Sequence, residues 1–213
     1  MPSEVVGGHA MSAATHGAWF VLGSLTAIAL VNGVLLELWR EGHGLALVRE
    51  YGVVESFQSL LLAIAFVLFW MAWREGTGAA KTASFALMAL SAAMFVREMD
   101  VKKFHGPEWY NWIAQRGLQE ILLVAMTVPI LIYLARNWRQ GIDLILMGLR
   151  PAALPLYIAG CFILAGAYLD ARVHGWPEKM FWEELLELNG YLFLVLSACL
   201  HLKIVRSKAA ATV

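Results

Sequence analysis

Six stretches of this chain, residues 17–36, 53–73, 78–96, 118–135, 151–169 and 180–202, each come close to the run of about 20 mostly apolar residues that a helix needs to cross a hydrocarbon core. No soluble domain uses such runs six times over. The expected fold is therefore all-α, a polytopic membrane helix bundle of about six transmembrane helices. Composition agrees, since 60% of the 213 residues are hydrophobic and 15% are charged. Sixteen basic residues balance sixteen acidic ones, so no basic surplus points to nucleic acid. Cys161 and Cys199 stand alone in apolar runs, which excludes a paired-thiol motif and a cysteine zinc cluster.

The chain then divides into a short cytoplasmic N-terminal segment (1–16), the bundle (17–202) and a basic cytoplasmic tail (203–213). The first sixteen residues hold no Lys or Arg ahead of the first apolar run, so no cleaved signal peptide is expected. Residues 141–149 set Asp143 against Ile142, Leu144, Ile145 and Leu146 and read as a helix lying in the membrane interface. The uncharged part of the last span, 188–202, is only fifteen residues long, so spanning requires Glu183, Glu184 and Glu187 to enter the outer interface.

With six crossings, eight Lys and Arg fall on each side, but thirteen of the sixteen carboxylates fall on one. The unopposed basic tail, with Lys203, Arg206 and Lys208, fits the cytoplasm. The acid-laden face is thus expected outside, in a cell inner membrane with both termini inward. Glu55, Arg97, Glu98, Glu120 and Glu187 sit at the hydrocarbon edge on different helices, where a charge is costly unless it faces the bundle interior. Gln58 and Ser59, one turn beyond Glu55, extend an inward polar stripe. A polar cup opening to the acidic side follows.

Three imidazoles, His43, His105 and His174, fall one to each outer loop, and with the surplus carboxylates they match the ligand chemistry of a divalent metal ion such as zinc. Asp170 and His174 are four apart and would share a helix face if the fifth span continued that far. The plainer reading is of solvated loop histidines. Glu183, Glu184 and Glu187 repel one another at helical spacing, so cations such as Arg97 or Arg172, a metal or protonation must relieve them. An ion-pair network is the expected relief, with Glu187 paired. Arg97 with Asp100 and Glu98 with Lys102 also have helical pairing distance. Trp39, Trp109, Tyr110, Trp112, Trp176 and Trp182 ring the same face as interfacial anchors.

The segments Val54-Glu55, Phe95-Val96-Arg97-Glu98-Met99-Asp100 and Glu183-Glu184-Leu185-Leu186-Glu187-Leu188 resemble those of a family of small, uncharacterised bacterial multi-pass inner-membrane proteins. That resemblance covers most of the chain and implies no activity. A second comparison, with membrane-embedded metal hydrolases that include alkaline ceramidases, is one of ligand inventory alone. The last helix here holds only His201 and no H-x-x-x-H.

Three functions stay open. The first is a cup that binds a metal and hydrolyses a lipid or lipid-linked substrate, with His105, His174 and Asp170 as ligands and His43 as a further imidazole. Glu184 or Glu187 would be its general base, and Arg97 would hold an anionic group. The second is a non-catalytic partner of another membrane protein, and the third is an ion-coupled transporter. Membrane lipids are expected partners in all three.

Overall fold

The computed structural model describes residues 6–48, 52–98, 118–173, 176 and 178–210, and among these every long element is an α-helix. By its contacts the chain separates into two units, Met1–Ala46 and Leu47–Val213. The first is dominated by α1 (Val6–Leu38), which is already helical well before the apolar run. Its polar side chains fold back on their own backbone. Ser24 Oγ, Thr26 Oγ1 and Asn32 Nδ2 donate to the carbonyls of Phe20, Leu22 and Ile28 at 2.9, 3.0 and 2.8 Å, which suits an apolar surrounding. A wide turn, Trp39–His43, breaks at Gly42, whose φ of 84° favours glycine, and a short α2 (Gly44–Leu47) follows.

The second unit holds α3 (Val53–Glu75), α4 (Gly78–Glu98), α5 (Leu118–Arg136), α6 (Gly141–Gly148), α7 (Leu154–Arg172) and α8 (Lys179–Ala210). Among the described residues five helical stretches are long and apolar enough to cross a membrane, or six if Ile121–Arg136 and Trp138–Gly148, bent by 74°, are taken as one broken span. The protein is an all-α, multi-pass membrane bundle. Pro129 sits inside α5 without ending it, while Pro151 and Pro155 occupy first-turn positions where a missing N–H costs nothing. Helix α6 keeps Ile142, Ile145 and Leu146 exposed, as an interface-lying helix would.

Helices α3 and α4 form an antiparallel hairpin across a two-residue turn, with Gly76 N–H donating to Ala72 O at 2.8 Å. Buried positions on α3 recur three and four apart, at Gln58, Leu61, Leu62, Ala65, Phe69 and Ala72, so one face of the helix is its core face. That helix packs against both α4 and α8, and α7 packs along the other side of α8. Small residues set the approach. A Cβ added to Gly190 of α8 would lie 3.1 Å from the Ala159 carbonyl oxygen of α7, and one added to Gly166 of α7 would lie 2.8 Å from Glu187 Cγ. Helix α8 runs eight residues past the expected end at Leu202, because Lys203, Arg206 and Lys208 are good helix formers beyond the apolar stretch.

Candidate functional site

Two ends of the second unit can be told apart by chemistry. The tail end carries Glu75, Arg150 and Arg206, and the acidic end carries Gln58, Glu98, Glu184 and Glu187. On α8, Glu184, Glu187 and Tyr191 follow at i, i+3 and i+7, so they share a face, and that face meets α3 and α4.

Each side chain has a named partner. The Arg97 guanidinium on α4 donates through Nη2 to Glu187 Oε1 at 2.6 Å. Tyr191 Oη donates to Glu98 Oε1 at 2.7 Å, and Arg97 Nε stands 4.0 Å from that same oxygen. Gln58 of α3 donates through Nε2 twice, to Glu184 Oε2 at 2.8 Å and to the Glu184 carbonyl at 3.0 Å. Asn189 is buried and satisfies itself on the Leu185 carbonyl at 2.8 Å. Three helices are thus tied by polar side chains.

Burial makes these contacts consequential. The Glu187 side chain is 4% exposed, whereas Arg97 is 43% exposed and reaches the pair from the rim with its stem along the helix. Gln58 and Tyr191 are fully buried. The two donations from Gln58 Nε2 fix the amide orientation, since reversing it would set oxygen against oxygen. That leaves Gln58 Oε1 buried with no hydrogen-bond donor. Among the described residues Glu184 is held by a neutral amide, whereas Glu187 and Glu98 stand 2.6 and 4.0 Å from the Arg97 guanidinium.

The expected pairing of Glu187 is present, with Arg97 as its partner. The structure also brings Glu184 into the same cluster, so three of the expected site residues converge. Of the expected metal ligands only His43 and Asp170 are among the described residues. His105 and His174 lie outside the described residues, as do Asp100 and Lys102. His43 belongs to the first unit. Asp170 is exposed near the end of α7, its Oδ1 3.1 Å from Lys179 Nζ. Helix α7 ends at Arg172 and Val173 is extended, so the helix that would have set Asp170 and His174 on one face does not continue that far. Among the described residues no three His, Cys, Asp or Glu side chains come together as a metal site would require. Of the aromatic ring, Trp176 and Trp182 stack at 6.5 Å between centroids, while Trp109, Tyr110 and Trp112 lie outside the described residues.

Sequence reasoning missed Tyr191 and the polar line below the cluster. Ser84, Ser91 and Glu98 are spaced by seven on α4, two helical turns apart, and all three are on its inner face. Ser84 Oγ meets His201 Nε2 of α8 at 2.8 Å, and Thr82 Oγ1 donates to Gln140 Oε1 at 2.6 Å. The repeat of seven was the available signal.

Fold and site together define a multi-pass α-helical membrane protein with a buried, charged, three-helix cluster. No protein-family model, no curated protein and no solved structure matches the chain.

Proposed function

We propose that this chain is an inner-membrane protein with its tail end toward the cytoplasm, and that the acidic-end cluster is the ion-coupling site of a cation-driven carrier. Two observations side by side carry this reading: among the described residues Glu184 is held by Gln58 Nε2 and by no cation, and Gln58 Oε1 is a buried acceptor without a donor. An unsatisfied buried acceptor costs about 1–3 kcal/mol, and a carboxylate without a cation in a membrane interior costs more. Both are relieved by one small monovalent cation, a proton or a sodium ion. The polar side chains at Ser91, Ser84, His201 and Thr82 give the α4 and α8 faces the beginnings of a route toward the tail end.

Cation binding is measurable without knowing the cargo. Purified protein in liposomes on a solid-supported membrane should give a transient charge displacement on a jump in either proton or sodium concentration, and the two jumps separate the two ions. Glu184→Gln should abolish the transient while the protein remains folded by circular dichroism. Wild-type protein that gives no transient with either ion would end this reading.

A further inference from the structure

The amide of Gln58 carries two hydrogens, and both are placed: Nε2 donates to Glu184 Oε2 at 2.8 Å and to the Glu184 carbonyl oxygen at 3.0 Å. Gln58 is fully buried, so water does not complete its bonding. What remains among the described residues is a pair of oxygens without a donor, Gln58 Oε1 and Glu184 Oε1. An amide and a carboxyl joined along one edge by N–H···O can close a ring along the other edge, but only if the carboxyl carries a hydrogen.

A proton fits this pair of oxygens, and a metal cation does not. A hard cation is held by a shell of several oxygens. Here Glu184 Oε2 and the Glu184 carbonyl oxygen already face amide hydrogens, which would repel a cation, while Glu98 Oε1 and Glu187 Oε1 are taken by Tyr191 and Arg97. Among the described residues no three His, Cys, Asp or Glu side chains converge. A proton needs only one oxygen to carry it and one to accept it. The charged groups on the surrounding helices also draw a positive charge in. Arg97 of α4 stands 2.6 Å from Glu187, Lys179 of α8 stands 3.1 Å from Asp170 of α7, and Arg172 of α7 is exposed. The others, Glu55 of α3, Glu98 of α4 and Glu183 of α8, are carboxyls.

We infer that the ion of this site is a proton, carried on Glu184 Oε1 and donated to Gln58 Oε1, so that carboxyl and amide close a two-bond ring between α8 and α3. The use of that proton rests on the carrier reading; its place does not. It enters from water, and the Nε2 bond to Glu184 Oε2 is kept as the second edge of the ring. Its departure sets two bare oxygens against each other across the α3–α8 contact. Proton occupancy is thereby turned into the strength of one helix–helix contact.

The test is difference infrared spectroscopy of the full chain in liposomes on acidification, beside the charge-displacement measurement. Acidification should raise the C=O band of a protonated carboxyl, and Glu184→Gln should lose that band. In Gln58→Leu protein with wild-type circular dichroism the band should remain and move to higher wavenumber, because the carboxyl has lost its hydrogen-bonded ring. Raising sodium at constant pH should neither remove the band nor give a charge transient. Glu184→Gln, whose amide supplies the missing donor, should melt no lower than wild type, and Glu184→Met, which supplies none, should melt below it. A band untouched by Glu184→Gln, a band unmoved in Gln58→Leu, or removal of the band by sodium would each overturn the proton assignment. A charge transient on a sodium jump alone would overturn it too and leave the carrier reading standing. A carboxyl band that behaves as expected, with no transient for either ion, would end the carrier reading and keep the proton in its place.

Discussion

The two ends of the α4 and α8 faces solve the same problem in different ways. At the tail end the polar bridge inside the protein is neutral, Ser84 to His201, and the charged pair, Glu75 with Arg206, stays at the rim. At the acidic end a carboxylate is inside, Glu187, and Arg97 reaches it from the rim. Arg97 and Glu187 take the place of the hydroxyl and imidazole, and Glu98 is brought in beside them by Tyr191. A membrane protein that needed only to hold these helices together could use the tail-end solution twice. Charge placed at the costlier location implies a use for it.

That contrast predicts a graded response to mutation, readable as detergent thermal or chemical unfolding. The largest loss is expected at Glu187. Glu187→Gln removes the carboxylate that neutralises Arg97 and should destabilise by about 3 kcal/mol, toward the low end for a buried pair because Arg97 is partly exposed. A Gln variant as stable as wild type would dissolve the distinction between the two ends. Next is Tyr191→Phe, which deletes the donor to a buried carboxylate at Glu98 and should cost about 2 kcal/mol. The double variant Tyr191→Phe with Glu187→Gln should fall short of the sum, since both changes act on one network.

Ser84→Ala is expected to be milder, about 1 kcal/mol, because the bridge it removes is neutral. Should it equal Glu187→Gln, the tail-end bridge would rank with the charged cluster. Arg206→Gln should be the smallest effect of all, indistinguishable from wild type in melting temperature, because surface ion pairs contribute little.

The positions of the helices were legible in the sequence because a hydrocarbon core demands long apolar runs, and α3 and α4 begin where those runs begin. Helix ends were less so. A run of hydrophobic residues reports the membrane, whereas helix continues wherever nothing stops it, hence the helix already present at Val6 and still present at Ala210. Within the site, the inward direction of Gln58 and the pairing of Glu187 followed from the expense of polar groups at the hydrocarbon edge. Tyr191 could not be found that way, since a tyrosine in a membrane helix carries no such penalty and its hydroxyl partner depends on how α4 is rotated about its own axis. Helix α7 ends at Arg172 with Val173 extended, a local stop that the spacing of Asp170 and His174 could not report.

Gly166 gives the buried cluster a dependence on α7, a helix that contributes no side chain to its hydrogen bonds. Its missing side chain is the space in which the Glu187 stem lies, with the position of an added Cβ 2.8 Å from Glu187 Cγ and 3.3 Å from the Glu183 carbonyl oxygen. Sliding α7 along α8 by one residue, a rise of about 1.5 Å, would shift this notch away from the stem. The ion pair with Arg97 therefore fits a single register of two neighbouring helices, and α7 serves as a gauge against which the seating of Glu187 is set. A motion that changes the pair must either move α7 with α8 or turn the Glu187 side chain out of its notch.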